Sequence, residues 1–311
     1  MKVFVAGASG VIGRPLVRQL VAAGHEVTGT TRREKRAEEI RAAGGTAVVC
    51  DVFDAAALGA AVKTAAPEVV INQLTSLPQK YVPRKASFYA ATDRVRSEGG
   101  GNLLAAARAA GARRFLTQSI CFLYAPEGDW VKDEEARTFD DAPGHFRTAV
   151  EAMTGHERET LDAEGIESLV LRYGQFYGPD TYYARDGHLG REVRRRRFPI
   201  VGAGTGTFSF LSVDDAAGAT VAALDGGPPG IYNVCDDEPA PLHQWLPIYA
   251  EALGAKPPRR VPVWLAGLVA GRVVAEQAIE MRGASNAKAK RELGWQPRHP
   301  SWRQGFGETL A

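Results

Sequence analysis

Three glycines near the start of the 311-residue chain, Gly7, Gly10 and Gly13, have the spacing of a phosphate cradle. They sit in the run Gly7-Ala8-Ser9-Gly10-Val11-Ile12-Gly13, directly after the apolar stretch Val3-Phe4-Val5-Ala6, which reads as a strand buried on both faces. Gly7 permits a tight turn, and Gly10 lets backbone N–H groups approach a pyrophosphate with no Cβ in the way. Gly13 allows the following helix to pack closely on the strand. That helix, expected from about residue 12 to 23, aims its N-terminal dipole at the phosphates. Further on, the second strand ends in Thr30-Thr31-Arg32-Arg33, where an NAD site would carry Asp or Glu for the adenosine ribose. A guanidinium pairs bidentately with a 2′-phosphate that a carboxylate would repel, so Arg32 points to NADP, with NAD as the alternative.

Other residues that could do chemistry are less telling. Asp214 and Asp215 form a carboxylate pair, yet they also fit the first turn of a helix, where the dipole favours acids. Cys50, Cys121 and Cys235 are scattered outside any metal-ligand spacing and read as small buried apolar residues; neither a metal site nor a disulfide is suggested. The run Arg194 to Arg197 reads as a solvated helix face.

The elements that must position these groups follow an alternating pattern of strand and helix. Strands are expected at 25–31, 46–50, 68–75, 114–118 and 167–173, with helices at 34–43, 55–65, 86–110, 242–253 and 264–274, among others. Gly99-Gly100-Gly101 weakens the middle of the long helix by propensity. Residues 180–190 read as a mobile loop. A net charge of +2 and 24% charged residues exclude a strong field for nucleic acid or an anionic membrane, and 45% hydrophobic residues fit a globular protein. No apolar run reaches membrane-spanning length, and Met1 leads straight into the first strand; a cytoplasmic protein is expected.

The glycine spacing resembles the short-chain dehydrogenase/reductase superfamily, and the full run resembles its extended, NAD-dependent epimerase/dehydratase-like branch. Arg172-Tyr173-Gly174-Gln175-Phe176-Tyr177-Gly178-Pro179, Val213-Asp214-Asp215 and the ending Leu293-Gly294-Trp295-Gln296-Pro297 carry the likeness along nearly the whole chain. The resemblance implies an α/β protein with a Rossmann-type doubly wound parallel sheet and a small C-terminal substrate lobe. Residues 1–175 plus 207–235 would form the first, and 176–206 plus 236–311 the second. It also implies a cofactor site of Gly7, Ser9, Gly10, Val11, Ile12 and Gly13, with Asp51 and Val52 at the adenine. Leu74, Tyr173 and Phe176 would lie further along the dinucleotide.

The likeness fails where the branch keeps its proton chemistry. Members carry a Ser at the end of the fifth strand, matched by Ser119, and a Tyr-x-x-x-Lys helix in which tyrosine is the general acid/base. Here Phe146 and Val150 occupy the tyrosine and lysine positions, and neither exchanges a proton. A shifted acid, a reaction needing no enzyme acid, or loss of catalysis remain open. Tyr124, His145, Tyr173 and Tyr177 are the candidates for a shifted acid. Tyr124 with Ser119 is the first choice because both follow the strand whose carboxyl end faces the nicotinamide in such folds, and positive charge nearby can lower a phenol pKa near 10. Phe208 replaces an arginine that binds pyrophosphate in sugar-nucleotide enzymes, which implies an apolar or aromatic small-molecule substrate. The expected function is an NADP(H)-dependent oxidoreductase acting on a small carbonyl-type molecule. The alternatives are an epimerase or dehydratase with transient oxidation and a non-catalytic NADP-binding regulator. The resemblance also allows a homodimer through the helices near 102 and 146.

Overall fold

The computed structural model describes residues 1–82, 85 and 87–310. Seven strands form one parallel sheet: β1 (Lys2–Ala6), β2 (Glu26–Thr31), β3 (Thr46–Val49), β4 (Val69–Asn72), β5 (Arg114–Ile120), β6 (Glu167–Tyr173) and β7 (Gly230–Val234). Their order is β7-β6-β5-β4-β1-β2-β3, the doubly wound arrangement expected from the sequence. The winding reverses between β1 and β4, and the carboxyl edge at such a switch point is where ligands bind.

Period-two alternation explains how the sheet is covered. Val3, Val5, Val69, Ile71 and Leu116 turn to one face, and Phe4, Ala6, Val70 and Phe115 to the other. The first face buries Leu16 and Leu20 of α1 (Gly13–Ala22), which is followed by α2 (Glu34–Ala42). The second buries Leu58 and Val62 of α3 (Ala55–Ala65). Each fully buried side chain of this size contributes roughly 1.5–3 kcal/mol by leaving water.

The single helix expected over 86–110 is divided. α4 (Ser87–Arg94) passes through a π-helical turn, Val95–Gly99, into α5 (Gly100–Ala109); Ala86, where the helix was expected to start, lies outside the described residues. The glycines are there for close approach. A Cβ at Gly99 would come within 2.9 Å of Val52, and one at Gly100 within 2.5 Å of His156 on α6 (His145–Leu161).

The second half adds α7 (His188–Arg194), α8 (Val213–Ala222), α9 (Leu242–Ala252), α10 (Val263–Ala270), α11 (Arg272–Glu280), α12 (Ala287–Leu293) and α13 (Trp302–Leu310). One helix was expected over 264–274, but Gly271 at φ 99° separates α10 from α11. α8 lies beside α1 on the first sheet face through Ala216 and Ala219. A second core gathers Tyr183, Trp245, Tyr249, Trp302 and Phe306. Phe208 belongs to this core, 5.1 Å from the Trp245 ring. Within 207–235 only β7 joins the sheet, while Phe210–Ser212 pairs in parallel with Gln175–Tyr177. Ala311, the expected end of the lobe, is outside the described residues.

Residues 180–190 are packed rather than loose. Tyr183 and Leu189 enter the second core, and the Tyr182 hydroxyl donates to the Pro78 carbonyl at 2.5 Å. Among the described residues no helix is long and apolar enough to cross a membrane.

Candidate active site

At the carboxyl end of β1, Gly7 turns with φ 85°, a conformation an L side chain rarely adopts, and its N–H-rich loop closes through Gly10 N donating to Gly7 O at 2.9 Å. A Cβ at Gly7 would come within 2.6 Å of the Gln73 carbonyl, and one at Gly13 would collide with the Gly7 and Ala8 backbone. Ser9, Gly10 and Val11 form the partly exposed lip, whereas Ile12 and Gly13 are buried and leave α1 pointing its first turn at that lip. A loop that excludes side chains at a helix N-terminus fits a dinucleotide pyrophosphate.

The ends of β2 and α2 complete the adenosine side. Ser9 Oγ donates to Thr31 Oγ1 at 3.0 Å, and Arg36 Nη1, one turn into α2, donates to the Ser9 carbonyl at 2.9 Å. Arg32 is exposed beside them. Glu34, the nearest acid along the chain, is turned away into an ion pair with Arg41 at 3.1 Å. Arg36 is a residue the sequence reading missed, although its place in the first turn of the helix that follows Arg32 and Arg33 was a usable signal.

Asp51 is exposed and its carboxylate accepts from Phe53 N at 3.1 Å, forming the turn after β3. Val52 is buried against Gly99. Leu74 is half-buried after β4, its carbonyl accepting from Gln118 Nε2 at 2.8 Å. Phe176 stays partly exposed. Tyr173 requires a correction as a cofactor neighbour: its ring is fully buried on the α1/α8 face. Its hydroxyl is held by Gln73 Nε2 at 2.9 Å and Thr220 Oγ1 at 2.7 Å. Burial pushes that phenol up to about 12.

Ser119, Arg172 and Asn233 are neighbours in one row across β5, β6 and β7. Ser119 is 4% exposed, and its buried Oγ has no hydrogen-bond partner among the described residues. Arg172 forms a buried bidentate pair with Glu157 of α6, at 2.9 and 2.5 Å. Its remaining Nη1 donates to the Tyr124 hydroxyl at 3.1 Å, and that hydroxyl donates to Asn233 Oδ1 at 2.7 Å.

Tyr124 therefore departs from the expectation of an acid with a lowered pKa. Burial pushes its phenol well above the usual value and outweighs the pull of Arg172. Asp214 and Asp215 also resolve as structural. Ser212 Oγ caps α8 by accepting from Asp215 N at 3.0 Å and donates to Asp215 Oδ2 at 2.7 Å, while Asp215 also anchors the backbone of Arg298 and His299.

Phe146 and Val150 lie on the buried face of α6 with Ala149 and Met153, packed against Tyr89, Ile120, Phe139 and Val273. Phe146 also lines a narrow cleft with room of about 30 Å³, with Phe122, Tyr124 and Phe139 on one side and α11 on the other. Phe208 is not among its walls; of the rings that make this cleft apolar, Tyr124 and Phe146 stood out in the sequence and Phe122 and Phe139 did not. Below the cleft, His156 Nε2 is within 3.0 Å of Thr117 Oγ1 and 3.3 Å of Asn72 Nδ2. Burial lowers its pKa to about 4, so the ring is neutral and structural. Among the described residues no cluster of His, Cys, Asp and Glu could hold a metal ion.

A family model described as the NAD dependent epimerase/dehydratase family matches residues 3–235. A Streptomyces protein named 3-diazoavenalumate denitrifying reductase is 47% identical over 308 residues, covering 99% of each chain. Among solved structures, UDP-glucose 4-epimerase from Thermotoga maritima superposes with a TM-score of 0.79 at 20% identity, covering 99% of this chain and 97% of that one. A human epimerase family protein solved with NADPH gives 0.74 at 20% identity, covering 99% of both chains.

Proposed function

The chain belongs to the NAD-dependent epimerase/dehydratase family and is an NAD(P)-dependent oxidoreductase of the extended short-chain dehydrogenase/reductase type, and we propose that it reductively removes a diazo group from a small aromatic substrate. What supports this reading is Phe146 on the wall of the cleft, with Val150 in the same buried cluster, at the positions read from the sequence as those of the Tyr and Lys that ketone chemistry uses. Reducing a ketone builds an alkoxide that must be stabilised and protonated. Reducing an aryl diazo group builds none: the acceptor takes up hydride, the C–N bond breaks, dinitrogen leaves and a C–H bond remains. The name of the Streptomyces relative supports the same chemistry.

When bound, the reduced nicotinamide supplies the hydride. The chain's own part is to hold and to exclude. The Gly7–Gly13 loop holds the pyrophosphate, and Arg36 with Arg32 and the Ser9 and Thr31 hydroxyls receives a 2′-phosphate, which favours NADP over NAD. Asp51 and Val52 flank the adenine, and Leu74 and Phe176 lie towards the reacting end. Phe146 and Val150 keep water out, and Ser119, buried behind them at the end of β5, is the candidate donor should a bound substrate open that space. Tyr124 keeps Arg172 and Asn233 in register beside it.

NADPH carrying deuterium at its transferable position tests the reading with a substituted benzenediazonium salt. One deuterium in the arene and one equivalent of dinitrogen are expected; an arene formed without deuterium contradicts it. A small ketone is the second reading, favoured by the unpartnered Ser119 Oγ. For assembly we keep a homodimer through the outward faces of α5 and α6 as a proposal, read by sedimentation equilibrium.

A further inference from the structure

The cleft beside Phe146 is walled by two independent sets of groups. Phe122, Tyr124, Phe139 and Phe146 supply rings, and α11 supplies Glu276, Gln277 and Glu280; among the described residues no lysine or arginine lines it. The nearby guanidinium groups lie outside. Arg272 reaches Glu276 at 2.5 Å with its own side chain 80% exposed. Arg282 lies over the Trp130 ring, 4.1 Å from its centroid, and donates to the Glu280 backbone carbonyl at 2.7 Å rather than to its carboxylate. Among the described residues the Glu280 carboxylate is in no contact ion pair, and its charge acts on Arg282 from a distance.

Aromatic faces carry a negative quadrupole, and of the two acids Glu276 shares its charge with Arg272 while Glu280 stands outside any ion pair among the described residues, so both sets favour a cation over an anion. A ketone being reduced would develop its negative charge against these walls. We propose that the cleft selects its aromatic substrate in the cationic form, an aryl diazonium ion rather than the neutral diazo form left by loss of a proton, with Glu280 and Glu276 as the residues that set this preference. The inference rests on reading the Phe146 cleft as the substrate site. The balance is consistent: an aryl diazonium ion and a reduced nicotinamide dinucleotide give the neutral arene, dinitrogen and the oxidised dinucleotide. One positive charge is present before and after, and the acidic wall opposes neither state.

Binding without turnover separates this inference from the proposed reaction. Phenyltrimethylammonium and its uncharged isostere tert-butylbenzene are titrated by ligand-observed NMR into the wild type and the Glu276→Gln/Glu280→Gln variant. Both substitutions lie on a partly or fully exposed helix face, and a melting curve checks the fold. The wild type is expected to bind the cation at least about tenfold more tightly than the isostere. In the double variant that ratio falls to within about twofold, with binding of the uncharged probe unchanged. Equal or tighter binding of tert-butylbenzene by the wild type overturns the inference, as does a preference that survives in the variant. Reduction of benzenediazonium is scored separately: turnover without a charge preference defeats this inference and leaves the proposed reaction, and a charge preference without turnover does the opposite.

Discussion

At the level of single residues, what an arginine or a tyrosine can do is set by what already holds it. Arg36 is fixed by the Ser9 carbonyl at 2.9 Å, which places a guanidinium beside the Ser9 and Thr31 hydroxyls. Removing it with Arg36→Ala should weaken NADP by roughly 1.5–3 kcal/mol, about tenfold or more, and leave NAD nearly unchanged. Parallel titration of both dinucleotides reads this, and equal losses for the two would contradict a 2′-phosphate role. Tyr124 is the opposite case. Its hydroxyl serves Asn233 and Arg172, so Tyr124→Phe should cost about 1–3 kcal/mol of stability, read by urea unfolding, through two unsatisfied partners. Turnover of the diazo substrate should fall by less than about tenfold, and a loss of roughly 10²-fold would restore Tyr124 as the acid. The glycine loop was legible because its requirement is local: turn, approach and packing all fall within seven residues. The Tyr124 network was not, because its partners lie 48 and 109 residues further along the chain.

At the level of elements, the strands were legible and the helix breaks were not. Continuous apolar runs fix a strand buried on both faces, whereas the glycine triplet at 99–101 looked like a weak helix interior. Its meaning lies in what crosses it. His156, held by Thr117 and Asn72, occupies the space beside Gly100. Gly100→Ala brings a methyl to 2.5 Å from the imidazole Cε1, so the ring must move and give up its contacts. A loss of about 1–3 kcal/mol is expected by chemical denaturation. A neutral or stabilising outcome, as for an ordinary Gly→Ala in a helix, would show that α5 and α6 have slack. Gly271 ends α10 by the same kind of conformational need, and its break turns α11 so that Glu276 and Glu280 meet the cleft. Periodicity alone could not show this, because α11 and the rings around Phe146 are more than 120 residues apart.

At the level of the whole molecule, the parallel sheet and the aromatic lobe meet just past β7. There Asp236 N donates to the Phe210 carbonyl at 2.7 Å. The Asp236 side chain is 1% exposed, and Oδ2 has no partner. Burial raises its pKa well above the usual carboxylate value, with like charge from Glu238 and Asp237 adding to it. The sign follows from the raised folded value. Below about pH 4 both folded and unfolded chains hold the proton and nothing is lost; as pH rises above that, the unfolded chain ionises more readily and stability falls. Asp236→Asn should therefore raise the melting temperature at pH 7–8 and leave it little changed near pH 4. Loss of stability at both pH values would instead mark the carboxylate as a needed hydrogen-bond acceptor. The arrangement of sheet and lobe could be anticipated from the motifs, but the junction could not, since it depends on a carboxyl group whose neighbours come from both parts.

The central claim is that the cleft delivers a reduction needing no proton donor at Phe146. Its most direct test is loss of the reduced-nicotinamide absorbance in parallel assays of a benzenediazonium salt and a panel of small ketones, each corrected for the rate without protein. The account predicts NADPH-dependent turnover of the diazonium salt with dinitrogen release in equal amount, and little or none of the ketones. Turnover of a ketone with no protein-dependent consumption of NADPH on the diazonium salt would contradict it.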